Sequence, residues 1–345
     1  MKIGELGEFG LIDRLSRLLP QQGADVVVGV GDDVAVLRTS QGKYLLVTCD
    51  IQLEGSHFLR DSITPHQLGR KAVAINLSDI AAMGGVPRHL LISLGLPQET
   101  TVEYVDALYH GFREEATTFG VDIVGGNMAR SPEGLIIDIF LLGEVEPEHL
   151  LLRSGARPGD RVLVTGRLGE AAAGLALFLD AALECHEVDA QQVKEAFLTP
   201  TPRVIEGQVI GRSGLATAMI DISDGLANDL RHICQSSGVG ARLWAEGLPI
   251  SPTTRRVAAL VGKDAQEMAL HGGEDYELLF TTSPDRADEL SAAVTRESGT
   301  PVTVIGEIVS QEEGVKLSLA EGDTVPLVPG GWDHFRPAGE GIVPC

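Results

Sequence analysis

Positive charge is scarce in this sequence of 345 residues. Its 27 Lys and Arg face 49 Asp and Glu, for a formal net charge of −22. A field of that sign repels nucleic acid and anionic membrane surfaces, so neither is an expected partner. Cysteine is scarce too. Cys49, Cys185, Cys234 and Cys345 form no CxxC and no paired spacing, which argues against a zinc site or a disulfide framework and fits reduced thiols. No apolar run reaches the roughly 18 residues that a transmembrane helix needs. The opening stretch MKIGELGEFGLIDRL carries acids early and lacks a signal-peptide core, so a cytoplasmic location is expected. GxxxxGK[ST], GxSxG, HRD and DFG are all absent, and "GVGDDV" lacks the third glycine of a dinucleotide fingerprint. A nucleotide, if one is used, must be held mainly through metal ions rather than a glycine-rich cradle.

The composition is 43% hydrophobic with 41 glycines, which suits a globular α/β chain. The length suggests two domains. The Gly-, Pro- and charge-rich stretch LLRSGARPGD at 151–160 marks a boundary, giving domains at 1–150 and 151–345. Helical spacing places Phe9, Ile12, Leu15 and Leu19 on one face. Strands are expected near 26–30, 34–38 and 44–48. Thr64-Pro65 reads as the start of a long helix ending at Gly84-Gly85. Strands near 89–96, 121–125 and 134–143 surround a helix near 100–119. The second half alternates strands at 161–165, 215–222, 239–244, 276–282 and 302–309 with helices, and closes in a hairpin near 315–328.

The acids recur at informative places. Asp32-Asp33 interrupts a strand-like run, Asp50 follows YLLVTC, and Asp79 lies inside the apolar helix KAVAINLSDIAAMGG. Asp221 and Asp224 sit in DISDG after an apolar strand, and Glu274-Asp275 precede another strand. A buried acid is costly unless it is paired or bound to metal. Carboxylates without matching bases therefore suggest Mg²⁺ with phosphate. Other readings remain open residue by residue. Asp32-Asp33 and Gly125-Gly126-Asn127 could be turns, Asp221 and Ser223 could cap a helix, and His57 could be a packed loop residue. Trp332 could belong to a core or an interface.

The combined motifs resemble the thiamine-monophosphate kinase family of the AIR synthetase-like superfamily. They are GEFGLI (7–12), GDD (31–33), TCD and EGSHF (48–58), NLSDIAAMGG (76–85), VGGN (124–127), RSGARPGD (153–160), DISDGL (221–226), GGEDYELLF (272–280) and GWDHF (331–335). The resemblance implies an α/β (α+β) two-domain AIR synthetase-like fold. Its N-terminal mixed sheet dimerises and carries the metal and ATP sites, and its C-terminal domain is α/β. It also implies ATP-dependent phosphorylation of thiamine monophosphate to thiamine diphosphate, with several Mg²⁺ ions and no covalent nucleophile. Asp33, Thr48, Asp50, Asp79, Asp221 and Asp224 match its metal positions. Cys49 and Asn127 stand where many members carry Thr and Asp, so both reduce hard-ligand capacity at metal positions. Tyr109, Gly126, Asn127, Arg153 and Ser223 match positions around ATP, and His57, Glu274 and Trp332 match positions around the thiamine phosphate. Competing readings are another ATP-dependent enzyme of the superfamily, or a thiamine-phosphate-binding protein with weakened metal sites.

Overall fold

The computed structural model describes residues 3–18, 23–40, 42–180, 183–320, 322–328 and 330. The first half builds a six-stranded sheet in the order β1-β2-β3-β6-β4-β5. Its strands are β1 (Val26–Val28), β2 (Ala35–Arg38), β3 (Tyr44–Leu53), β4 (Val86–Leu96), β5 (Asp122–Arg130) and β6 (Ile136–Val145). The β4–β5 pair is parallel and the other pairs are antiparallel, so the sheet is mixed.

The long helix α2 (Pro65–Ala82) packs on this sheet beside α3 (Val102–Thr118). Thr64 caps α2 as the sequence suggests. Its side chain accepts from the Gln67 amide while Gln67 answers in a capping box, and Pro65 occupies the first turn. Before them lies α1 (Ile3–Ser16), kinked at Gly7. The helix expected from Glu8 begins at Ile3, and Phe9, Ile12 and Leu15 are 39–49% exposed. Leu19 lies outside the described residues.

Strand β3 departs from expectation more usefully. It continues to Leu53, paired along its length with β6, so Thr48 to Asp50 fall in mid-strand rather than at its end. Alternation then places Thr48 and Asp50 on one face and Cys49 on the other. Likewise Gly125 to Asn127 are not a turn but lie within β5. There is no room for a side chain at Gly126, where a Cβ would come 1.9 Å from the Ile92 carbonyl oxygen.

The second half forms a seven-stranded sheet, β13-β12-β9-β11-β7-β10-β8. These strands are β7 (Arg161–Thr165), β8 (Ala216–Asp221), β9 (Gly240–Trp244), β10 (Leu278–Thr282), β11 (Val302–Val309), β12 (Val315–Ser318) and β13 (Thr324–Pro326). Helices α4 (Glu170–Leu179), α5 (Glu187–Leu198), α6 (Val204–Ser213), α7 (Leu226–Ser237), α8 (Pro252–Leu260), α9 (Ala265–His271) and α10 (Ala287–Ser298) accompany it. The short α9 has no counterpart in the sequence reading, because its signal is one N-capping residue, Asp264. One core cluster runs from the first sheet and α2 into Leu163, Phe197, Met219, Leu278 and Phe280 of the second half, so the halves are joined through packed apolar surface.

The α2–α3 contact is backbone on backbone. A Cβ on Gly69 would lie 2.2 Å from the Leu108 carbonyl oxygen, and one on Gly111 would lie 2.0 Å from that of His66. Gly111→Ala should therefore lower stability by about 1–3 kcal/mol through overpacking. Gly23→Ala, with nothing within 4 Å of the added atom, is the control and should not be affected in this way. Denaturation midpoints of the two variants measure this, and an unchanged Gly111→Ala midpoint would contradict the close contact.

Candidate active site

A cleft of about 810 Å³ opens where α1, the β1–β2 turn, β3, α2 and the β8–α7 turn converge. The acids arrive on several separate elements. Asp32 and Asp33 occupy the tight turn after Val30, where Gly31 has φ 126. Asp50 comes from β3, Asp79 from α2, and Asp221 from the last residue of β8. Asp224 follows in the turn into α7, and Glu274 comes from the segment before β10. Glu8 of α1 also lines the cleft, bringing the carboxylates there to eight. Arg153 is the only arginine or lysine among the described residues lining it.

Hydrogen bonds fix the geometry. Arg153 donates to Asp33 Oδ1 from Nη2 at 2.5 Å and from Nε at 3.1 Å. Its backbone N–H donates to Asp32 Oδ2 at 3.2 Å, and Asp32 Oδ1 accepts from the Asp33 amide at 3.0 Å. Asp32 thus braces the turn while Asp33 faces the guanidinium. Thr48 Oγ1 donates to Asp79 Oδ2, and Ser78 Oγ donates to Asp221 Oδ2, both at 2.6 Å. His57 Nδ1 accepts from the Leu53 amide at 3.0 Å, so the neutral ring carries its proton on Nε2.

Asp33, Asp79 and Asp221 bring carboxylate oxygens within 4.8 Å of one another. Burial and then mutual repulsion hold these acids well away from their ordinary behaviour. Desolvation, followed by the Asp33 charge, raises Asp221 to about 8. Desolvation, with Glu8 next, raises Asp224 to about 7, and desolvation followed by Glu274 raises Asp50 to about 6. Asp79 is pushed well above the usual range by burial, then by Asp50 and Asp221. Asp33 Oδ2 is buried without a hydrogen-bond partner. Hard oxygen donors, like charges in contact and an orphaned carboxylate oxygen are what a Mg²⁺ site requires. The residues present fit divalent cations.

Asp33, Thr48, Asp50, Asp79, Arg153, Asp221, Ser223, Asp224, His57 and Glu274 all line this one cleft. Cys49 borders it from the opposite face of β3 and is exposed, with its thiol pushed up by burial, then by Asp138 and Asp50. Tyr109, Gly126 and Asn127 lie elsewhere. Tyr109 lines a separate depression of about 500 Å³ with Asp106, His110, Arg113 and Ile123, and Gly126 and Asn127 sit on the edge strand β5. Trp332 lies outside the described residues. Glu8 was not singled out in the sequence, because one acid in an exposed amphipathic helix looks like a solvated residue. Buried Asp229 was also missed. It accepts from the Gly225 amide at 3.1 Å and so holds the turn carrying Asp224.

The two sheets and the acidic cleft between them define the class. The sequence matches the AIR synthase related protein N-terminal domain over residues 31–145 and the corresponding C-terminal domain over residues 157–317, and the chain belongs to that family. Within it the chain belongs with the thiamine-monophosphate kinases. It is 39% identical to the Aquifex aeolicus thiamine-monophosphate kinase over 97% of this chain and 100% of that protein. It is 36% identical to the Escherichia coli K12 enzyme over 95% and 98%. Among solved structures, AaThiL complexed with AMPPCP and TMP superposes with a TM-score of 0.84 at 39% identity, covering 97% of this chain and 99% of that one.

The raised acids carry a pH signature. Unfolded Asp loses its proton near 3.8, whereas Asp224 and Asp221 in the fold hold theirs to about 7 and about 8. Between these values the native state binds more protons than the unfolded state, so without metal stability should fall as pH rises. Mg²⁺ binds only the native cluster and should raise the melting temperature most near the upper end of that window, by the equivalent of about 2.7 kcal/mol at a hundredfold excess over Kd. Thermal melts with and without Mg²⁺ across pH measure both effects. A melting temperature indifferent to Mg²⁺ would remove the metal assignment.

Proposed function

We propose that this protein transfers the γ-phosphoryl group of ATP to the phosphate of thiamine monophosphate, yielding thiamine diphosphate and ADP. The observation that carries this is the convergence of Asp33, Asp79 and Asp221 beside one arginine, in a chain of this family. An oxygen of the acceptor phosphate forms the new P–O bond as the bond from the γ-phosphorus to the β,γ-bridging oxygen breaks, and ADP leaves with that electron pair. The attacking oxygen is already anionic, so no strong general base or covalent nucleophile is needed. Asp33, Thr48, Asp50, Asp79, Asp221 and Asp224 would hold Mg²⁺, with Cys49 able to add only its backbone carbonyl. Bound there, Mg²⁺ offsets the repulsion between two polyanions and aligns them. Arg153 keeps Asp33 oriented, and the Thr48 and Ser78 hydroxyls do the same for Asp79 and Asp221. His57 and Glu274 face the thiamine phosphate, and Arg153 and Ser223 face ATP.

Tyr109, Gly126 and Asn127 are read as the remaining ATP contacts, delivered by a second copy of the chain. Strand β5 is a sheet edge with exposed Val124 and Met128, and Ile51, Leu91 and Phe140 are also exposed. An unpaired edge beside apolar surface favours association. Sedimentation should give a mass near twice 36.6 kDa. No helix among the described residues is long and apolar enough to cross a membrane. A cytoplasmic setting is proposed on the scarcity of paired cysteines.

Incubation with ATP, Mg²⁺ and thiamine monophosphate should give thiamine diphosphate and ADP, with free thiamine a far poorer acceptor. Faster phosphorylation of thiamine would overturn the mechanism. Asp79→Asn should lower kcat by at least about a hundredfold while keeping the fold, because an amide relieves the cost of burial but is a poor Mg²⁺ ligand. Circular dichroism beside the kinetic assay separates loss of activity from loss of structure.

A further inference from the structure

Lys71 is 1% exposed, inside α2. With Ile75 and Asp79 it follows an i, i+4, i+8 pattern and so shares one helix face. Ile75 and Asp79 border the cleft, but Lys71 does not. A buried ammonium requires partners, and Lys71 has two. One is the Glu274 carboxylate, with which it forms an ion pair. The other is the ring face of Phe197 on α5, whose centroid lies 3.9 Å from Nζ. The pair therefore joins the long helix of the first half to a cleft-lining segment of the second.

That segment is held in an unusual conformation. Glu274 has φ 72 and Tyr276 has φ 48, a region that residues other than glycine seldom occupy. The Glu274 amide donates to the Ser223 carbonyl and the Tyr276 amide to the Ile222 carbonyl, each at 2.8 Å. The backbone thus presents the Glu274 carboxylate to the cleft, close enough to Asp50 and Asp224 to raise both. Repulsion from these neighbours would turn an unpaired carboxylate away. Lys71 supplies the opposing charge from behind.

We propose that Lys71 is a positioning residue that touches neither substrate and sets affinity for thiamine monophosphate by holding Glu274 in the cleft. This rests on the reading of the protein as a thiamine-monophosphate kinase whose Glu274 faces thiamine monophosphate. Nucleotide affinity does not depend on it.

The test uses the full-length wild type, Lys71→Met, Glu274→Gln and the double variant, with KM measured separately for thiamine monophosphate and ATP. Lys71→Met should raise KM for thiamine monophosphate about tenfold and leave that for ATP within about twofold. The double variant should be no worse than Glu274→Gln alone, since Lys71 acts only through that carboxylate. Lys71→Met leaves a buried acid without its cation, so its melting temperature should fall, and the neutral double variant should regain much of the loss. If Lys71→Met does not fold, the comparison of the double variant with Glu274→Gln still decides. An unmoved KM for thiamine monophosphate in Lys71→Met, an equal rise for both substrates, or a further rise in the double variant would each overturn the inference while wild-type turnover leaves the functional reading standing. A wild type that does not phosphorylate thiamine monophosphate overturns both.

Discussion

Asp33, Asp79 and Asp221 are pressed together against the repulsion of their own charges, and the surrounding architecture is what keeps them there. No two of the three share an element. A turn, a helix and a strand end each deliver one, so relaxation of the cluster would require whole elements to separate. The hydroxyls of Thr48 and Ser78 and the guanidinium of Arg153 remove the smaller freedom of side-chain rotation. What remains is a set of oxygen donors preorganised for cations, in which the cost of assembling like charges is met during folding rather than during the reaction.

This explains why the two halves share a core. Asp221 belongs to the second sheet and Asp79 to the helix on the first. Their approach depends on the apolar contacts that carry Leu163, Met219, Leu278 and Phe280 into the core of the first half. A flexible junction at 151–160 would let the charges part. Instead the Arg153 backbone is tied to Asp32 and its side chain to Asp33, so the connector is itself anchored at the cleft.

Much of this was legible in the sequence because it depends on local patterns. The capping box at Thr64, the apolar helix around Asp79 and the acids after apolar strands are short-range signals. What escaped was long-range. The continuation of β3 through Asp50 depends on pairing with β6, which a local pattern ending in Cys-Asp does not reveal. Gly125-Gly126-Asn127 has the composition of a turn, yet Gly126 is there because β4 passes too close for a side chain. Lys71 looks like any helical lysine until Glu274, some two hundred residues later in the chain, is seen beside it. Tyr109, Gly126 and Asn127 are grouped with the cleft residues by the sequence resemblance, yet the fold places them away from that cleft, which no local pattern reveals.

The glycine contact between α2 and α3 has a consequence for how such a protein can evolve. Where Gly69 and Gly111 bring backbone against backbone, no side chain exists whose replacement could shift the helix by small steps. The face of α2 that carries Lys71, Ile75 and Asp79 is therefore closed to gradual adjustment. The segment around Glu274 meets the turn bearing Asp224 in the same way, since a Cβ on Gly273 would lie 2.4 Å from the Ser223 carbonyl oxygen. Change in what the cleft accepts would therefore have to come from side chains that line it rather than from shifts of the backbone that carries them.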